Sequence, residues 1–423
     1  YDDKYEDLLE KYENINSEDY DMEYFQKLNT DVKIKYLDQI EKVYDINENE
    51  TPLRFKLLSS DMDIKTKSIA ISNLDKLKEM DVSTGEYSKM DTWINGLIKI
   101  PFGKYVSLPI SNQDTFETKQ SFIRNTLDTL DTAIYGHKEA KTHILQVIGK
   151  WIRNPDSLGN VLALQGPMGN GKTTLVKSGI AKALHRPFAF ITLGGASDSA
   201  FFDGHSYTYE GSHWGRIIQI LQDSKYMNPI IYFDELDKIS DTQKGDEIIH
   251  MLTHLTDASQ NSLFQDNYFP GIDIDLSKVL FIFSFNDETK VNKILKDRMY
   301  VINTKGFQLN DKIIISQKYL LPDLYTNFSF SKDEIIFTDE ILTYIISNYT
   351  NNEEGVRNLK RCIETIISKI NIYLLTHSEN DNMSDKLSFT IKNFKLPITL
   401  TQEHIDNLLK VKNTDKAPSH MYM

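Results

Sequence analysis

The chain has 423 residues, of which 40% are hydrophobic and 26% are charged, and its formal net charge is −13. This size and composition are typical of a soluble globular protein with two or three domains. No apolar run approaches the ~20 residues that a membrane-spanning helix needs, so no membrane partner is expected.

The negative charge is concentrated at the start of the sequence. Residues 1–50 contain 16 Asp or Glu and 6 Lys, a net charge of about −10, which leaves the remaining residues close to −3. Because a nucleic-acid-binding arm needs clustered Lys and Arg, this arginine-free segment argues against one. We interpret the segment as a solvated helical face, and a docking surface for a basic partner is the alternative.

The only cysteine of the sequence, Cys362, excludes an internal disulfide. It suits a reducing compartment, such as the cytoplasm, an organelle matrix or a viral factory. Cys362 falls on a helix-like stretch, which favours buried structure over a nucleophile. Because residue 1 is Tyr, the natural start can lie upstream, and the absence of a targeting signal decides little.

Three regions are predicted along the chain. Residues 1–125 are predicted to be mostly helical, with helical spacing at 36–43 and 70–77, breaks at 51–55 and 100–103, and no nucleotide or metal motif. Residues 126–305 alternate between strands and helices and predict an α/β domain. Residues 306–423 predict a small α-helical lid.

The α/β region contains five short, mostly apolar strands separated by segments of helix length. This pattern predicts a five-stranded parallel sheet that is covered on both faces. The predicted strands are 161–165, 188–193, 230–233, 280–285 and 300–303. In the lid, the predicted helices are 313–320, 340–349, 355–375 and 402–409, with 389–391 and 398–400 as a candidate pair of strands.

Residues 166–173 read GPMGNGKT and stand between an apolar run and a helix-compatible run. This strand–loop–helix context predicts a phosphate-binding loop in place of a plain glycine turn. The glycines let successive N–H groups point at phosphates, beside the positive end of the new helix. Lys172 would reach the β- and γ-phosphates, and the Thr173 hydroxyl would ligate Mg²⁺. The candidate nucleotide-binding residues are Gly166, Pro167, Met168, Gly169, Asn170, Gly171, Lys172, Thr173 and Thr174.

Polar side chains follow two later strands. Asp234 would hold Mg²⁺, directly or through water, and Glu235 would act as general base on the attacking water. A strand that ends in acids is also typical of a helix N-cap, but its place about 60 residues after the glycine loop favours the catalytic interpretation. Asn286 follows the strand 280–285, and its amide would orient the water. A turn asparagine is the alternative interpretation.

Further short motifs occur in order along the sequence. They are Tyr135-Gly136, Gly194-Gly195, Gly204-His205, Thr208-Tyr209, Gly211, Gly215-Arg216, FDELDK at 233–238, Gly245-Asp246, DLSKV at 275–279, Asp297-Arg298-Met299 and Gly355-Val356-Arg357. With the glycine loop, this series resembles the AAA+ ATPase region of Lon-family proteases, from about residue 52 to about residue 410. The segment 97–105 also resembles the family's lPWGKY. The composition and the departures described below are similar to those of Lon-like ATPases of large DNA viruses.

The resemblance implies a hexameric ring that uses ATP and Mg²⁺ and threads a protein substrate through its pore. Tyr135 and Gly136 would lie against the adenine. Arg298 would reach the γ-phosphate of the neighbouring subunit, and Arg357 would sense the γ-phosphate of its own subunit. Tyr209 would be the pore-loop aromatic that grips the threaded chain by contact area. Outside their motifs, these residues would be interpreted as surface, ion-pair or loop residues.

Two departures from the family pattern bear on function. Residues 417–423 leave no room for the family's protease domain, so either the full protein continues beyond Met423 or it lacks that domain. We expect no peptide hydrolysis from this chain alone, and a separate protease is a possible partner of the ring. The pore segment has Ser206 and Tyr207 where the family has arginines, and Glu210 and Trp214 are also altered. We therefore expect a less basic pore.

The leading hypothesis is an ATPase motor that unfolds, translocates or remodels proteins. One alternative is the motor half of a complete ATP-dependent serine protease. A second is a scaffold that closes a ring on nucleotide without hydrolysis, which a turnover assay would distinguish. A third is a nucleic-acid motor, which salt-sensitive binding to single-stranded DNA would favour. The acidic balance and the altered pore loop argue against the third.

Overall fold

A computed structural model describes residues 1–11, 19–48, 51–157, 159, 161–196, 198–209, 211–376, 387–392 and 394–409. The chain divides into two compact units, Tyr1–Ile98 and a second unit that begins at Lys99. Glu210 and the tail from 410 to 423, on which two of the expectations above depend, lie outside the described residues. Within the described ranges, no helix is both long enough and apolar enough to cross a bilayer.

The first unit is helical, as predicted. Its helices are α1 (Asp2–Lys11), α2 (Asp19–Gln26), α3 (Thr30–Glu48), α4 (Leu53–Ser59), α5 (Ile64–Glu79) and α6 (Gly85–Ile98). The predicted break at 51–55 is shorter than expected, because α4 begins directly after Pro52. Proline fits before the first helical turn, where its missing N–H costs no hydrogen bond. Asp63 caps α5 by accepting a hydrogen bond from the Thr66 N–H at 3.0 Å.

The second unit begins with an α/β region. Its elements are α7 (Phe116–Ala133), α8 (Lys138–Arg153), β1 (Val161–Gln165), α9 (Lys172–Thr174), a π-helical turn (Leu175–Ile180), α10 (Ala181–Leu184), β2 (Phe188–Thr192), α11 (Ala200–Asp203), α12 (Arg216–Ser224), β3 (Ile230–Asp234), α13 (Gln243–Thr256), β4 (Leu280–Phe285), α14 (Lys293–Lys296) and β5 (Tyr300–Asn303). The five predicted strands are confirmed, with ends that differ by one residue at most.

The five strands form one parallel sheet in the order β2-β3-β4-β1-β5. Strand β4 is buried at every position, and the apolar residues of β3 are buried as well. Helices cover the sheet, and an apolar cluster packs α8 and the α9–α10 segment against β1 and β4. Because parallel strands end at the same edge, the residues that follow β1, β3 and β4 lie close together there.

The lid follows the sheet. Its elements are α15 (Leu309–Ile315), a π-helical turn (Ser316–Leu320), α16 (Leu321–Phe328), β6 (Ile335–Ile336), α17 (Asp339–Tyr349), α18 (Arg357–Thr376), β7 (Ile398–Thr399) and α19 (Gln402–Leu409). An apolar stripe on α18 supplies much of the lid core. Cys362 lies half-buried on this helix as a free thiol.

One predicted pairing in the lid is wrong. Strand β7 pairs in parallel with β6, with Ile398 opposite Ile335, and residues 389–391 form no strand. Phe389 and Ile391 instead insert their side chains into the lid core, and the Phe389 ring lies 6.3 Å from that of Tyr373. Burial of these two side chains accounts for the apolar pattern that suggested a strand.

Candidate nucleotide site

The glycine-rich loop follows β1 and has the backbone that its sequence predicts. Gly169 and Gly171 have φ angles of 74° and 87°, in the left-handed region where a side chain is strained. A Cβ at Gly171 would lie 2.3 Å from the Ile134 Cδ1, and one at Gly169 would lie 2.9 Å from the Arg357 Cβ. The loop is therefore a narrow backbone cradle that tolerates no side chains at these two positions.

The Lys172 side chain folds back and hydrogen-bonds to the backbone of the loop. Its ammonium donates hydrogen bonds to the Gly166 carbonyl at 2.7 Å, the Pro167 carbonyl at 2.9 Å and the Asn286 amide oxygen at 3.0 Å. Burial lowers the pKa of Lys172 to about 8, while the nearby Asp234 and Asp237 carboxylates raise it. The cation thus lies among neutral acceptors that a phosphate oxygen can replace.

Asp234 ends β3 and accepts several hydrogen bonds at one carboxylate oxygen. The donors to its Oδ1 are the Ser284 hydroxyl, the Glu235 N–H at 3.1 Å and the Tyr232 hydroxyl at 3.4 Å. The Tyr232 hydroxyl also lies 3.3 Å from the Thr173 Oγ1. Burial raises the pKa of Tyr232 to about 12, so the phenol is protonated at neutral pH. Thr173 and Asp234, the two predicted metal ligands, are thus joined through one phenol.

Glu235 follows directly with a φ of 61°, an unusual backbone for a non-glycine residue. Its carboxylate packs against Gly194, which follows β2. A Cβ at Gly194 would lie 2.1 Å from the Glu235 Oε2. Glycine at position 194 therefore makes room for the Glu235 carboxylate. The strained backbone of Glu235 turns this carboxylate toward the nucleotide site.

A buried polar network supports the loop from behind. Asn170 is fully buried and donates to the Thr304 Oγ1 at 2.8 Å, and Thr304 in turn donates to the Gln165 carbonyl at 2.7 Å. The His137 Nε2 lies 2.9 Å from the Asn170 carbonyl oxygen. Burial lowers the pKa of His137. The network fixes β1, β5 and the loop as one unit.

The lid closes one side of the site. The Val356 N–H donates to the Gly169 carbonyl at 3.0 Å, and Arg357 begins α18 beside the loop. The Tyr319 hydroxyl, from the lid's π-helical turn, donates to the Asp131 carbonyl of α7 at 2.7 Å. A cavity of about 1020 Å³ lies between these parts, and its lining includes Lys172, Thr173, Asp234, Glu235, Asn286 and Arg357. Residues from three distant parts of the sequence, at 234–235, 286 and 357, thus line one cavity with Lys172 and Thr173.

Other predicted residues lie elsewhere. The lining of the cavity does not include Tyr135 and Gly136, which precede α8. Burial and the Asp311 carboxylate beside the Tyr135 phenol raise its pKa. Gly136 has a φ of 73°, and a Cβ at this position would lie 3.9 Å from the Phe307 ring. An adenine contact for this pair therefore stays a prediction.

Arg298 follows α14 and lies outside the cavity. Its Nη1 donates to the Thr253 carbonyl at 3.0 Å and pairs with the Asp257 carboxylate at 2.5 Å. It lines a separate cavity of about 440 Å³ together with His143 and Tyr300, whose rings stack at 3.6 Å. Arg298 is thus not among the residues that line the nucleotide cavity, and its role in a neighbouring subunit stays a prediction.

Tyr209 lies on the loop between α11 and α12, with 69% of its surface exposed. Two of the altered residues of this loop, Tyr207 and Trp214, have ring contacts. The Tyr207 ring lies 5.5 Å from that of Tyr268, and the Trp214 ring lies 6.0 Å from that of Phe269. The departures Tyr207 and Trp214 therefore belong to an aromatic cluster at the base of the loop.

The residues present suit a magnesium nucleotide. Gly169 and Gly171 have left-handed backbones packed closely against Arg357 and Ile134, so the loop exposes backbone and no side chain at these positions, as a phosphate-binding loop requires. Thr173 and Asp234 supply the hard oxygen ligands that Mg²⁺ prefers, and they lie within reach of one phenol. Lys172 adds a positive charge beside the carbonyls of Gly166 and Pro167.

The sequence motifs did not identify several residues of the site. Tyr232 and Ser284 are polar interruptions in otherwise apolar strands, and that signal could have found them. Thr304 and His137 support the loop, but nothing in their local sequence marks them. The residues of α7 and of the lid's π-helical turn that line the cavity belong to no short sequence motif.

Comparison with known proteins agrees with this geometry. Residues 162–306 match the profile of the ATPase family associated with various cellular activities (AAA), and residues 327–383 match that of the Lon protease AAA+ ATPase lid domain. A Lon protease homolog of Acanthamoeba polyphaga mimivirus is 37% identical over 343 residues, which are 79% of this chain and 33% of that protein.

The chain contains the AAA domain and the lid domain of the Lon family. Lon protease 2 of Bdellovibrio bacteriovorus is 35% identical over 77% of this chain and 39% of its own length. The mitochondrial Lon protease homolog of Yarrowia lipolytica is 33% identical over 77% of this chain and 26% of its own length. The Lon resemblance predicted from the motifs is confirmed, and the chain spans between about a quarter and two fifths of these three relatives.

Proposed function

We propose that this Lon-family region hydrolyses ATP with Mg²⁺ in a hexameric ring of identical subunits and uses the energy to unfold, translocate or remodel protein substrates. The observation that supports this most is the convergence of Lys172, Asp234, Glu235 and Asn286 on one cavity beside the glycine loop. These residues come from three strand ends, and together they supply a cation, an ion ligand, a base and a neutral amide.

The nucleotide-binding residues act first. The loop N–H groups would hold the phosphates, and the Lys172 ammonium would exchange its present carbonyl and amide acceptors for phosphate oxygens. Thr173 and Asp234 would hold Mg²⁺, which supplies positive charge against the phosphates when bound. Tyr135 and Gly136 are proposed to lie against the adenine.

The hydrolytic residues act on the attacking water. Glu235 would take its proton, and the Asn286 amide would orient the water without competing for that proton. Arg357 lies beside Gly169 at the start of α18 and would report the γ-phosphate to the lid. This contact offers a route from the state of the nucleotide to movement of the lid.

Assembly completes the site in this proposal. Arg298 would reach the γ-phosphate bound by the adjacent subunit, where such a charge raises the rate by about 10³- to 10⁵-fold. An isolated subunit would then be nearly inactive. Tyr209, exposed on its loop, would contact the substrate polypeptide inside the ring, and its ring suits any sequence because it binds through contact area.

Substitution of Glu235 by Gln tests the hydrolytic part. The variant should bind ATP with unchanged affinity and lose at least about 10²-fold in turnover, because an amide cannot accept the proton of the water. Glu247→Gln, on the exposed face of α13, is the matched control and should keep full turnover. If Glu235→Gln hydrolyses ATP at the parent rate, the proposed catalytic role is wrong.

A further inference from the structure

The Tyr232 phenol occupies an unusual position for a buried hydroxyl. Tyr232 is fully buried in β3, and its ring lies 6.2 Å from that of Phe188 and 5.8 Å from that of Phe190. A buried hydroxyl is costly unless it is hydrogen-bonded. Here the hydroxyl lies 3.3 Å from the Thr173 Oγ1 and 3.4 Å from the Asp234 Oδ1, the two residues assigned to the ion.

The directions of these hydrogen bonds have a consequence for the ion. The Tyr232 hydroxyl donates to Asp234, so its oxygen is available to accept the proton of the Thr173 hydroxyl. A threonine hydroxyl that ligates a cation must direct a lone pair at the ion and its proton elsewhere. The phenol provides that acceptor and holds Thr173 in the orientation that a ligand needs.

Ser284 supports the other ligand. It is fully buried in β4, interrupts an otherwise apolar strand, and its hydroxyl donates to the Asp234 Oδ1. The Tyr232 hydroxyl and the Glu235 N–H donate to the same oxygen. With three donors on Oδ1, the carboxylate is fixed in rotation, and Oδ2 is left for the ion or its water.

We propose that Tyr232 and Ser284 are positioning residues that orient Thr173 and Asp234 for Mg²⁺ and so set the affinity of the nucleotide complex for the ion. The proposal rests on the proposed function, since it assigns the ion to these ligands. Removal of a residue that hydrogen-bonds to a metal ligand typically lowers metal affinity by about 10- to 100-fold. Neither residue touches the phosphates in this account, so nucleotide binding without Mg²⁺ should not depend on them.

The test measures how binding of a fluorescent ADP analogue depends on Mg²⁺ concentration, in the assembled protein. The Mg²⁺ midpoint is the Mg²⁺ concentration at which the Mg²⁺-dependent gain in binding is half complete. In Tyr232→Phe, this midpoint should rise about 10-fold, while the affinity for the analogue in EDTA, without Mg²⁺, stays within about twofold of the parent. Ser284→Ala should shift the midpoint in the same direction, and it remains informative if the tyrosine variant fails to fold. The matched control is Tyr325→Phe, whose hydroxyl donates to the Ile335 carbonyl at 2.6 Å in the lid core.

The outcomes separate this proposal from the proposed function. Midpoints within about twofold of the parent in both folded variants would overturn the positioning role, even if ATP is hydrolysed normally. A parent protein that binds the analogue with no dependence on Mg²⁺ would overturn the ion assignment itself. A purely structural role would lower the melting temperature of Tyr232→Phe and of Tyr325→Phe without moving either midpoint.

Discussion

The Lys172 ammonium lies 3.0 Å from the Asn286 amide oxygen, although 114 residues separate them in the sequence. Lys172 follows β1 and Asn286 follows β4, and these strands are neighbours in the sheet. The parallel sheet therefore places a neutral acceptor beside the loop cation. An acidic residue at position 286 would instead pair with Lys172 and hold it away from phosphate.

This contact predicts different results for two substitutions of Asn286. Asn286→Ala should bind ADP within a fewfold of the parent and lose about 10²-fold in ATP turnover, because the group that orients the water is absent. Asn286→Asp should lose turnover and also bind ADP more weakly, because its carboxylate competes with phosphate for Lys172. Fluorescence titration and steady-state hydrolysis measure both effects. Full turnover by Asn286→Ala would contradict the assigned role.

The contact between Gly194 and Glu235 predicts a loss of rate without a loss of binding. A methyl group at position 194 would lie 2.1 Å from the Glu235 Oε2, so Gly194→Ala must displace the carboxylate. We expect turnover to fall by about 10- to 100-fold at unchanged nucleotide affinity. The control is Gly149→Ala on α8, where an added Cβ meets no atom within 4 Å. Equal turnover in the two variants would show that Glu235 is not held against Gly194 in the active state.

Asp266, at the base of the Tyr209 loop, should make the stability of the folded protein depend on pH. Asp266 is fully buried, accepts from the Gly215 N–H at 2.8 Å and from the Tyr268 N–H at 2.9 Å, and burial raises its pKa to about 7. Between about pH 4 and pH 7 only the folded chain holds this proton, so the contribution of Asp266 to stability falls as the pH rises.

We therefore expect the parent to lose roughly 1 kcal/mol of unfolding free energy from this group between pH 6 and pH 8. Asp266→Asn has no proton to lose there and should show a correspondingly smaller change. Thermal or urea unfolding of both proteins at the two pH values measures the difference. Asp203, whose pKa is raised to about 6 mainly by burial, is present in both proteins, and its negative charge contributes to the raised pKa of Asp266. Parallel pH profiles would contradict the prediction.

Substitution of Tyr209 should separate ATP hydrolysis from the unfolding of a protein substrate. Tyr209→Ala should keep ATP turnover, because the loop is not part of the nucleotide cavity, and should lose ATP-dependent unfolding of a fluorescent protein with an unstructured tail. Tyr209→Phe keeps the ring area and should retain unfolding. Unfolding by Tyr209→Ala at the parent rate would exclude this residue as the contact with substrate.

Much of the sheet was predictable because buried parallel strands are short, apolar and separated by helices. The residues that end these strands were predictable for the same reason, since strand order brings positions 166, 234 and 286 to one edge. The partner of β7 was not, because a two-residue strand leaves no period to recognise, and the burial of Phe389 gives the same apolar signal.

The supporting contacts of the site were less accessible from sequence. Tyr232 interrupts an apolar strand with one hydroxyl, but only the structure shows that this hydroxyl joins Thr173 to Asp234. The left-handed backbone of Glu235 has no sequence signal, since glycine and asparagine usually occupy that region. Contacts of this kind depend on tertiary geometry, which a linear pattern does not contain.

We infer that adjacent subunits together build one hydrolytic site, with Glu235 from one and Arg298 from the next. Mixing two inactive variants, Arg298→Ala and Glu235→Gln, tests it. In mixed rings about a quarter of the sites combine an intact Glu235 with an intact neighbouring Arg298, so turnover should recover toward that fraction. Asp257→Asn removes the ion pair of Arg298 but keeps the arginine, and it should stay active. We expect hydrolysis to recover in the mixture, whereas co-assembled rings that remain as inactive as either variant alone would show that the two residues do not act in one site.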